Sequence, residues 1–250
     1  MSKNVKVTAV DKNISVGYDR EMDEPTLTRA PSSSVGDYLK AIWEVAESGT
    51  ASTKEIAERL SFAPASVTSM LGRLRKRGLV EYEPYRGASL TEVGRTEAIR
   101  LVRRHRLIET FLLEHLGYSW DEVHEEAERL EHAVSDEFTE RLAKLLGHPE
   151  RDPHGDPIPA GDLTLLPEDE WSLDKSAVGE RVCISRVSED AGVLGYLGER
   201  GLVLGEVLKV REVRDLDGVV IVEDEDGESY PLGESLARSI FVQSASEDGT

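Results

Sequence analysis

The stretch HEEAERLEH, from His124 to His132, places His124, Glu128, Glu131 and His132 at i, i+4, i+7 and i+8, one stripe if the segment is helical. On the preceding segment, His105 and Glu109 are four apart and fall on one face a turn from each other. Imidazole nitrogens and carboxylate oxygens at these spacings suit a divalent cation, and six such groups on two adjacent segments weigh against simple solvated helix charges. Two catalytic patterns come close without matching. The zinc-protease helix H-E-x-x-H needs a histidine where Glu128 stands. A di-iron carboxylate bundle needs Glu-x-x-His on two helices, and neither Glu128 nor Glu131 has a histidine three residues on. Cys183 is the single cysteine, so an internal disulfide and a multi-thiolate site are excluded, and a metal must be held by nitrogen and oxygen. Metal-dependent hydrolysis stays open at this point as the alternative of another class.

Several helices must position these groups. In 35–49, Tyr38, Leu39, Ile42, Trp43 and Val45 recur at helical spacing before Gly49. In 52–60, Ser52 and Glu55 form a capping box. Three residues later, 64–80 begins a helix at Pro64 and ends it at Gly78. This pair of short helices is a helix-turn-helix, and 80–91 reads as strand, Tyr-Arg-Gly turn and strand, the wing of a winged helix. A long helix over 91–117, closed by Gly117, carries His105 and Glu109, and 119–147 reads as the segment carrying the His124 stripe.

Net charge is −19, which on its face opposes a nucleic-acid partner. The charge is uneven: residues 1–34 are neutral, 35–106 carry +4, and 107–250 carry −23. Within 71–106, ten basic residues face four acidic ones, a local basic patch that coincides with the helix-turn-helix and wing. A recognition helix would offer Ala65, Ser66, Thr68 and Ser69 to the major groove, with Arg77 and Arg86 as phosphate contacts. No apolar run reaches the roughly 20 residues of a membrane span, and the first residues lack a secretory apolar core, so a cytoplasmic location is expected.

The order helix, helix-turn-helix, wing, then RRHRLIETFL, VHEEAERLEHAVSDE and HPERDPHGDPIPAGD resembles the diphtheria toxin repressor family of metal-dependent transcription regulators over about residues 33–160. The resemblance implies a homodimer that binds a palindromic double-stranded DNA operator when metal is bound, with repression of metal-uptake genes as its role. It implies one metal site at His105, Glu109 and His124, and a second at Asp37, Glu128, Glu131 and His132. Iron-responsive members resemble one another in placing Met at the Asp37 position and Cys at the Glu128 position. Carboxylates at both resemble the manganese-responsive type and suit hard Mn²⁺, with Fe²⁺ or Co²⁺ as surrogates, and an Fe²⁺-dependent regulator of the same fold is the alternative.

The expected fold is α+β. A flexible arm (1–32) precedes a winged helix-turn-helix (33–96), a helical metal-binding and dimerisation domain (97–160) and a linker (161–175). From 176 to 244 the β-branched runs RVCISRV, GEVLKVREV, GVVIVEDEDG and SIFVQS, with turns at Asp217-Gly218 and Asp226-Gly227, predict a small five-stranded barrel. It resembles the Src-homology-3-like domain of many family members, and a tail (245–250) follows. In that comparison Glu189 completes the His105 site, with Asp190 as the alternative. Cys183 reads as a buried small residue in the first strand.

Overall fold

The computed structural model describes residues 33–46, 49–165, 169–214 and 216–245. The expected arm at 1–32 and the tail from 246 onward lie outside the described residues.

The first three helices are α1 (Ser33–Val45), α2 (Thr53–Leu60) and α3 (Pro64–Lys76), followed by the hairpin β1 (Val80–Glu83) and β2 (Gly87–Leu90). Ser52 starts α2 by the reciprocal bonds of a capping box: Glu55 N donates to its Oγ at 3.2 Å, and Ser52 N donates to Glu55 Oε2 at 2.7 Å. Such a cap contributes about 1 kcal/mol. Proline opens α3, where its missing N–H costs no helical bond. In the hairpin Val80 pairs with Leu90 and Glu83 with Gly87, and alternation turns Val80 and Tyr82 inward. Ala51 adds a rung by exchanging two 2.8 Å bonds with Ala88, so the wing is pinned to the loop before α2. Leu39, Ile42, Ile56, Val67, Leu71 and Leu74 fill the core beneath. Each contributes roughly 1.5–3 kcal/mol by leaving water.

Helix α4 (Glu92–Leu116) is 25 residues, about 38 Å long at 1.5 Å per residue. Thr91 caps its start by accepting from Gly94 N at 3.1 Å, and Gly117 ends it in the left-handed conformation. Its Ala98 belongs to the first core, whereas Leu107, Ile108 and Leu112 pack with Val123, Ala127, Leu142, Ala143 and Ile158 in a second. One rod is therefore a wall of both. The expected boundary at residue 96 falls inside it.

Residues 119–147 form two helices, α5 (Val123–Leu130) and α6 (Asp136–Leu145). The continuous stripe expected from the sequence is thereby corrected: Glu131 caps α5 and His132 lies in the turn beyond it. The cause is local, since Ser135 accepts from Phe138 N at 3.2 Å and starts a new helix with two acidic residues in its first turn.

The C-terminal region contains β3 (Trp171–Ser172), a 3₁₀ turn (Leu173–Lys175), β4 (Arg181–Val187), α7 (Ala191–Gly198), β5 (Val207–Val213), β6 (Val220–Glu223), β7 (Ser229–Leu232), α8 (Glu234–Arg238) and β8 (Ile240–Ser244). The sheet runs β3-β8-β4-β5-β6-β7, every pair antiparallel. It has six strands where five were expected. The extra one, β3, is two residues long, too short to show an alternating pattern, and it lies in the segment expected to be a linker. Leu173 of that segment is fully buried in the C-terminal core.

Residues 151–157 form a turn that docks on β4. Asp152 Oδ1 accepts from the backbone N–H of His154 and of Asp156, both at 2.9 Å, and Val187 N donates to His154 O at 2.9 Å. Gly155 has φ +92°, and a Cβ there would stand 2.1 Å from Ser185 O, so only glycine permits this approach. Among the described residues, no helix is long and apolar enough to cross a membrane.

Candidate metal centre

Two groups of nitrogen and oxygen donors form where α1, α4, α5 and the 151–157 turn converge. In the first, His105 Nε2 lies 2.8 Å from Glu109 Oε1, and His124 Nδ1 lies 3.0 Å from the same oxygen and 3.2 Å from Glu189 Oε2. The donor atoms of His105, Glu109, His124 and Glu189 lie within 4.8 Å of one another. Glu189 follows β4, so the C-terminal domain reaches this group directly. Asp190, the alternative, instead caps α7 by accepting from Val193 N at 2.9 Å. In the second group, His132 Nε2 is 2.7 Å from Asp37 Oδ1 and 3.4 Å from Glu131 Oε1. Asp37 is on α1, so this group spans the DNA-side core and the turn after α5.

Glu128 is not drawn in with Asp37, Glu131 and His132. Its half-exposed carboxylate lies 3.6 Å from His124 Nε2, at the edge of a cavity of about 600 Å³ that Asp37, Lys40, Glu131 and His132 also line. Glu131 joins the two groups. Its Oε2 lies 2.6 Å from His105 Nδ1 and accepts from Lys40 Nζ at 3.3 Å.

A further donor set escaped the sequence reading. Asp152 and His154 share Glu109 and Glu189 in a second four-residue group whose donor atoms also lie within 4.8 Å. Among the described residues, three buried atoms around Glu109 have no hydrogen-bond partner: Glu109 Oε2, Asp152 Oδ2 and His154 Nδ1. Asp152 Oδ2 has an ion pair to Arg106 Nε at 3.5 Å, but buried polar atoms are normally hydrogen-bonded, so the unpartnered Glu109 Oε2 and His154 Nδ1 fit a cation. The signal was in RDPHGDPIP, where Asp152 and His154 stand inside a Pro- and Gly-rich stretch, but nothing in their spacing ties them to a helix 45 residues earlier.

The carboxylates and imidazoles here shift one another's pKa toward their charged forms. Burial works against a charged His124, but hydrogen bonds to Glu109 and Glu128 and the charge of Glu189 push its pKa up to about 10. Burial likewise opposes the charged form of His105, yet the Glu109 carboxylate holds its pKa up. The bond that His132 donates to Asp37 raises its pKa. Burial alone would raise Glu109, but the His105 charge and the histidine bonds hold it well below the usual carboxylate range. Chiefly through its bond to His124, Glu128 falls to about 2. Burial raises Asp152 well above the ordinary value, and the Asp156 and Glu109 charges add to it, against the pull of Arg106. Burial also opposes the Lys40 ammonium, which the charges of Glu131, Glu44, Glu189 and Glu128 keep in place.

On the DNA side, Ala65, Ser66, Thr68 and Ser69 are exposed along the first turns of α3, and Arg77 and Arg86 are exposed at its end and on the wing. Thr68 donates its hydroxyl hydrogen to Pro64 O at 2.9 Å, and Arg86 pairs with Glu83 at 3.2 Å. Arg75 donates to Tyr82 O at 3.1 Å and fixes the wing against α3.

Residues 32–88 match the description "Iron dependent repressor, N-terminal DNA binding domain" and 91–160 match "Iron dependent repressor, metal binding and dimerisation domain". Residues 172–244 match the FeoA domain. The iron-dependent repressor IdeR of Mycobacterium tuberculosis is 40% identical over 220 residues, covering 82% of this chain and 95% of that protein. This chain belongs to the iron-dependent repressor family. The diphtheria toxin repressor of Corynebacterium glutamicum is similar at 39% over 218 residues, covering 82% of this chain and 94% of that one. Among solved structures, a manganese-dependent transcriptional repressor in complex with manganese is similar with TM-score 0.80 and 40% identity, covering 84% of this chain and all of that one. The manganese regulator SloR is similar with TM-score 0.73 and 36% identity, covering 87% and 100%. The resemblance drawn from HRLIE and HEEAERLEH thus holds across all three regions. As a family member the chain is a metal-dependent, DNA-binding repressor that acts as a dimer, and not a hydrolase.

Proposed function

We propose that this repressor is activated by Mn²⁺, binds a palindromic operator as a homodimer in the cytoplasm, and represses genes of metal uptake. The observation that carries the manganese reading is the donor chemistry. Every side chain converging on the two groups offers carboxylate oxygen or imidazole nitrogen. Cys183 is in β4, paired with Val207 and Gln243, and Met70 packs in the DNA-side core, so no sulfur of the described residues reaches either group. Hard oxygen-rich shells favour Mn²⁺, whereas thiolate and thioether ligands favour softer ions.

Asp37, Glu131 and His132 would hold one ion, with Glu128 closing on it from the edge of the cavity. His105, Glu109, His124 and Glu189 would hold a second, with Asp152 and His154 as a further donor set on the same two glutamates. A divalent cation would supply positive charge among these carboxylates. The residues do the rest. Asp37 ties α1, and with it the helix-turn-helix, to the turn after α5, while α4 carries the same link through packing. Fixing α1 fixes where the partner-related α3 helices stand relative to two half-sites, with Ala65, Ser66, Thr68 and Ser69 toward the bases and Arg77 and Arg86 toward phosphates.

The test is DNA selected from a randomised duplex pool by the Mn²⁺-loaded protein, then titrated with Mn²⁺, Fe²⁺, Co²⁺ or no metal under anaerobic conditions. Metal-dependent binding at lower Mn²⁺ than Fe²⁺ is expected. Tight binding with Fe²⁺ at concentrations where Mn²⁺ fails would establish the iron reading that the names of the sequence relatives suggest.

A further inference from the structure

A buried lysine stands beside the Asp37 group, where the functional reading gives it no part. Lys40 lies on α1, three residues after Asp37, and is 6% exposed. Its Nζ is 3.3 Å from Glu131 Oε2, itself on a carboxylate that is 2% exposed. The same oxygen meets His105 Nδ1 at 2.6 Å, which leaves Oε1, 3.4 Å from His132 Nε2, as the oxygen of Glu131 on the Asp37 side. An ion held by Asp37, Glu131 and His132 would therefore share a carboxylate with a fixed ammonium. Lys40 and Glu131 are buried, although Asp37 and His132 open onto the cavity, so two positive charges on this one carboxylate repel each other with only partial screening by water.

Lys40 is not what holds α1 in place. Val35, Tyr38, Leu39 and Ile42 pack α1 into the core that includes Ala98 of α4, and that packing is independent of the ammonium. The lysine thus adds charge more than architecture. Without an ion it compensates Glu131; with one it opposes the ion.

Resting on the metal reading of this group, we propose that Lys40 is a built-in competitor that sets the Mn²⁺ threshold of the repressor, weakening the Asp37 group so that it fills only when the ion is plentiful. The sign of its effect separates this role from a structural one. Losing a structural residue lowers both stability and affinity. Losing an internal competitor lowers the stability of the metal-free protein, because Glu131 loses one of its partners, and raises metal affinity.

The experiment is a Mn²⁺ titration of the full chain, reading free Mn²⁺ by electron paramagnetic resonance, on wild type, Lys40→Met and Lys40→Arg, with thermal unfolding of each metal-free protein. Lys40→Met is expected to melt lower without metal and to bind Mn²⁺ at the Asp37 group about tenfold tighter, a conservative discount on the Coulomb repulsion at this range. Lys40→Arg, which keeps the charge, is expected to bind within about threefold of wild type, well short of a full charge effect. Should Lys40→Met not fold, Lys40→Gln carries the same expectation. A neutral variant that binds Mn²⁺ no tighter than wild type overturns the inference and leaves the metal reading standing. A wild-type protein that binds no Mn²⁺ overturns the functional reading, and this inference with it.

Discussion

Glu109→Gln is the substitution that bears most directly on the α4 group. The exchange keeps shape and removes one charge. Glu109 is fully buried, and its Oε1 is 2.8 Å from His105 Nε2, 3.0 Å from His124 Nδ1 and 4.0 Å from His154 Nδ1, while Oε2 has no partner. It is also common to both four-residue donor sets around α4. Removing one member of a buried charge pair costs about 3–5 kcal/mol. Part of that falls on the metal-free protein, which loses its ion pairs to the histidines, so the lower figure is the one to carry into metal affinity. About 3 kcal/mol corresponds to roughly a hundredfold in dissociation constant. Measured by free Mn²⁺ in a titration of the full chain, two classes of site are expected to become one at accessible concentrations, with the Asp37 class kept within about threefold. Asp37→Asn is the reciprocal control and is expected to lose the other class. Two intact classes in Glu109→Gln, at wild-type affinities, would refute the assignment of ion-holding to this group.

Mn²⁺ affinity should rise with pH between 6 and 8, by about tenfold per unit for each proton displaced, because His124 with its pKa near 10 must lose a proton to bind; isothermal titration in buffers of different ionisation enthalpy counts the protons, and a flat profile would be wrong for this chemistry. In the metal-free protein the sign runs differently: His124, raised from 6.5 to about 10, stabilises fully below 6.5 and loses that contribution toward 10, while Glu128, lowered from 4.5 to about 2, stabilises above 4.5 and loses it toward 2. Thermal unfolding without metal should therefore show this pair's contribution greatest between pH 4.5 and 6.5. Gly155→Ala places a Cβ 2.1 Å from Ser185 O at φ +92° and is expected to cost more than about 2 kcal/mol, weakening Mn²⁺ binding at the Glu189 group more than at Asp37; equal losses at both would contradict the docking role of this turn. Glu128→Cys is expected to shift metal preference toward Fe²⁺ in DNA-binding titrations, and an unchanged order of metals would show that this position does not set selectivity.

The legible parts of this chain were those whose information is local. The Ser52–Glu55 capping box, Pro64 at the start of α3 and left-handed Gly117 after α4 each act within a turn, so their sequence spacing is their structure. His105 and Glu109 meet as their four-residue spacing requires, since α4 is unbroken between them. The His124 stripe was read too regularly: Ser135 starts a helix of its own, and His132 reaches Asp37 from a turn and not from a helix face. Asp152 and His154 are set by the close approach of Gly155 to β4, a contact between distant segments that no periodicity encodes. For the same reason the expected linker at 161–175 hid β3 and the fully buried Leu173, which join the C-terminal core.

The continuity of α4 bears on how such regulators can be taken apart or recombined. Because Ala98 lies in the core on the DNA side and Leu107, Ile108 and Leu112 in the next, a cut before Ala98 takes the α4 wall from the first core, and a cut between 98 and 107 breaks the rod that joins the two. A chimera that grafts a new operator specificity onto this sensor should exchange residues 33–90 and keep the whole rod with the recipient, rematching only the few side chains that α4 turns toward α1. Inherited as one piece, the helix lets DNA-reading surfaces diverge while the ion-sensing geometry travels unchanged.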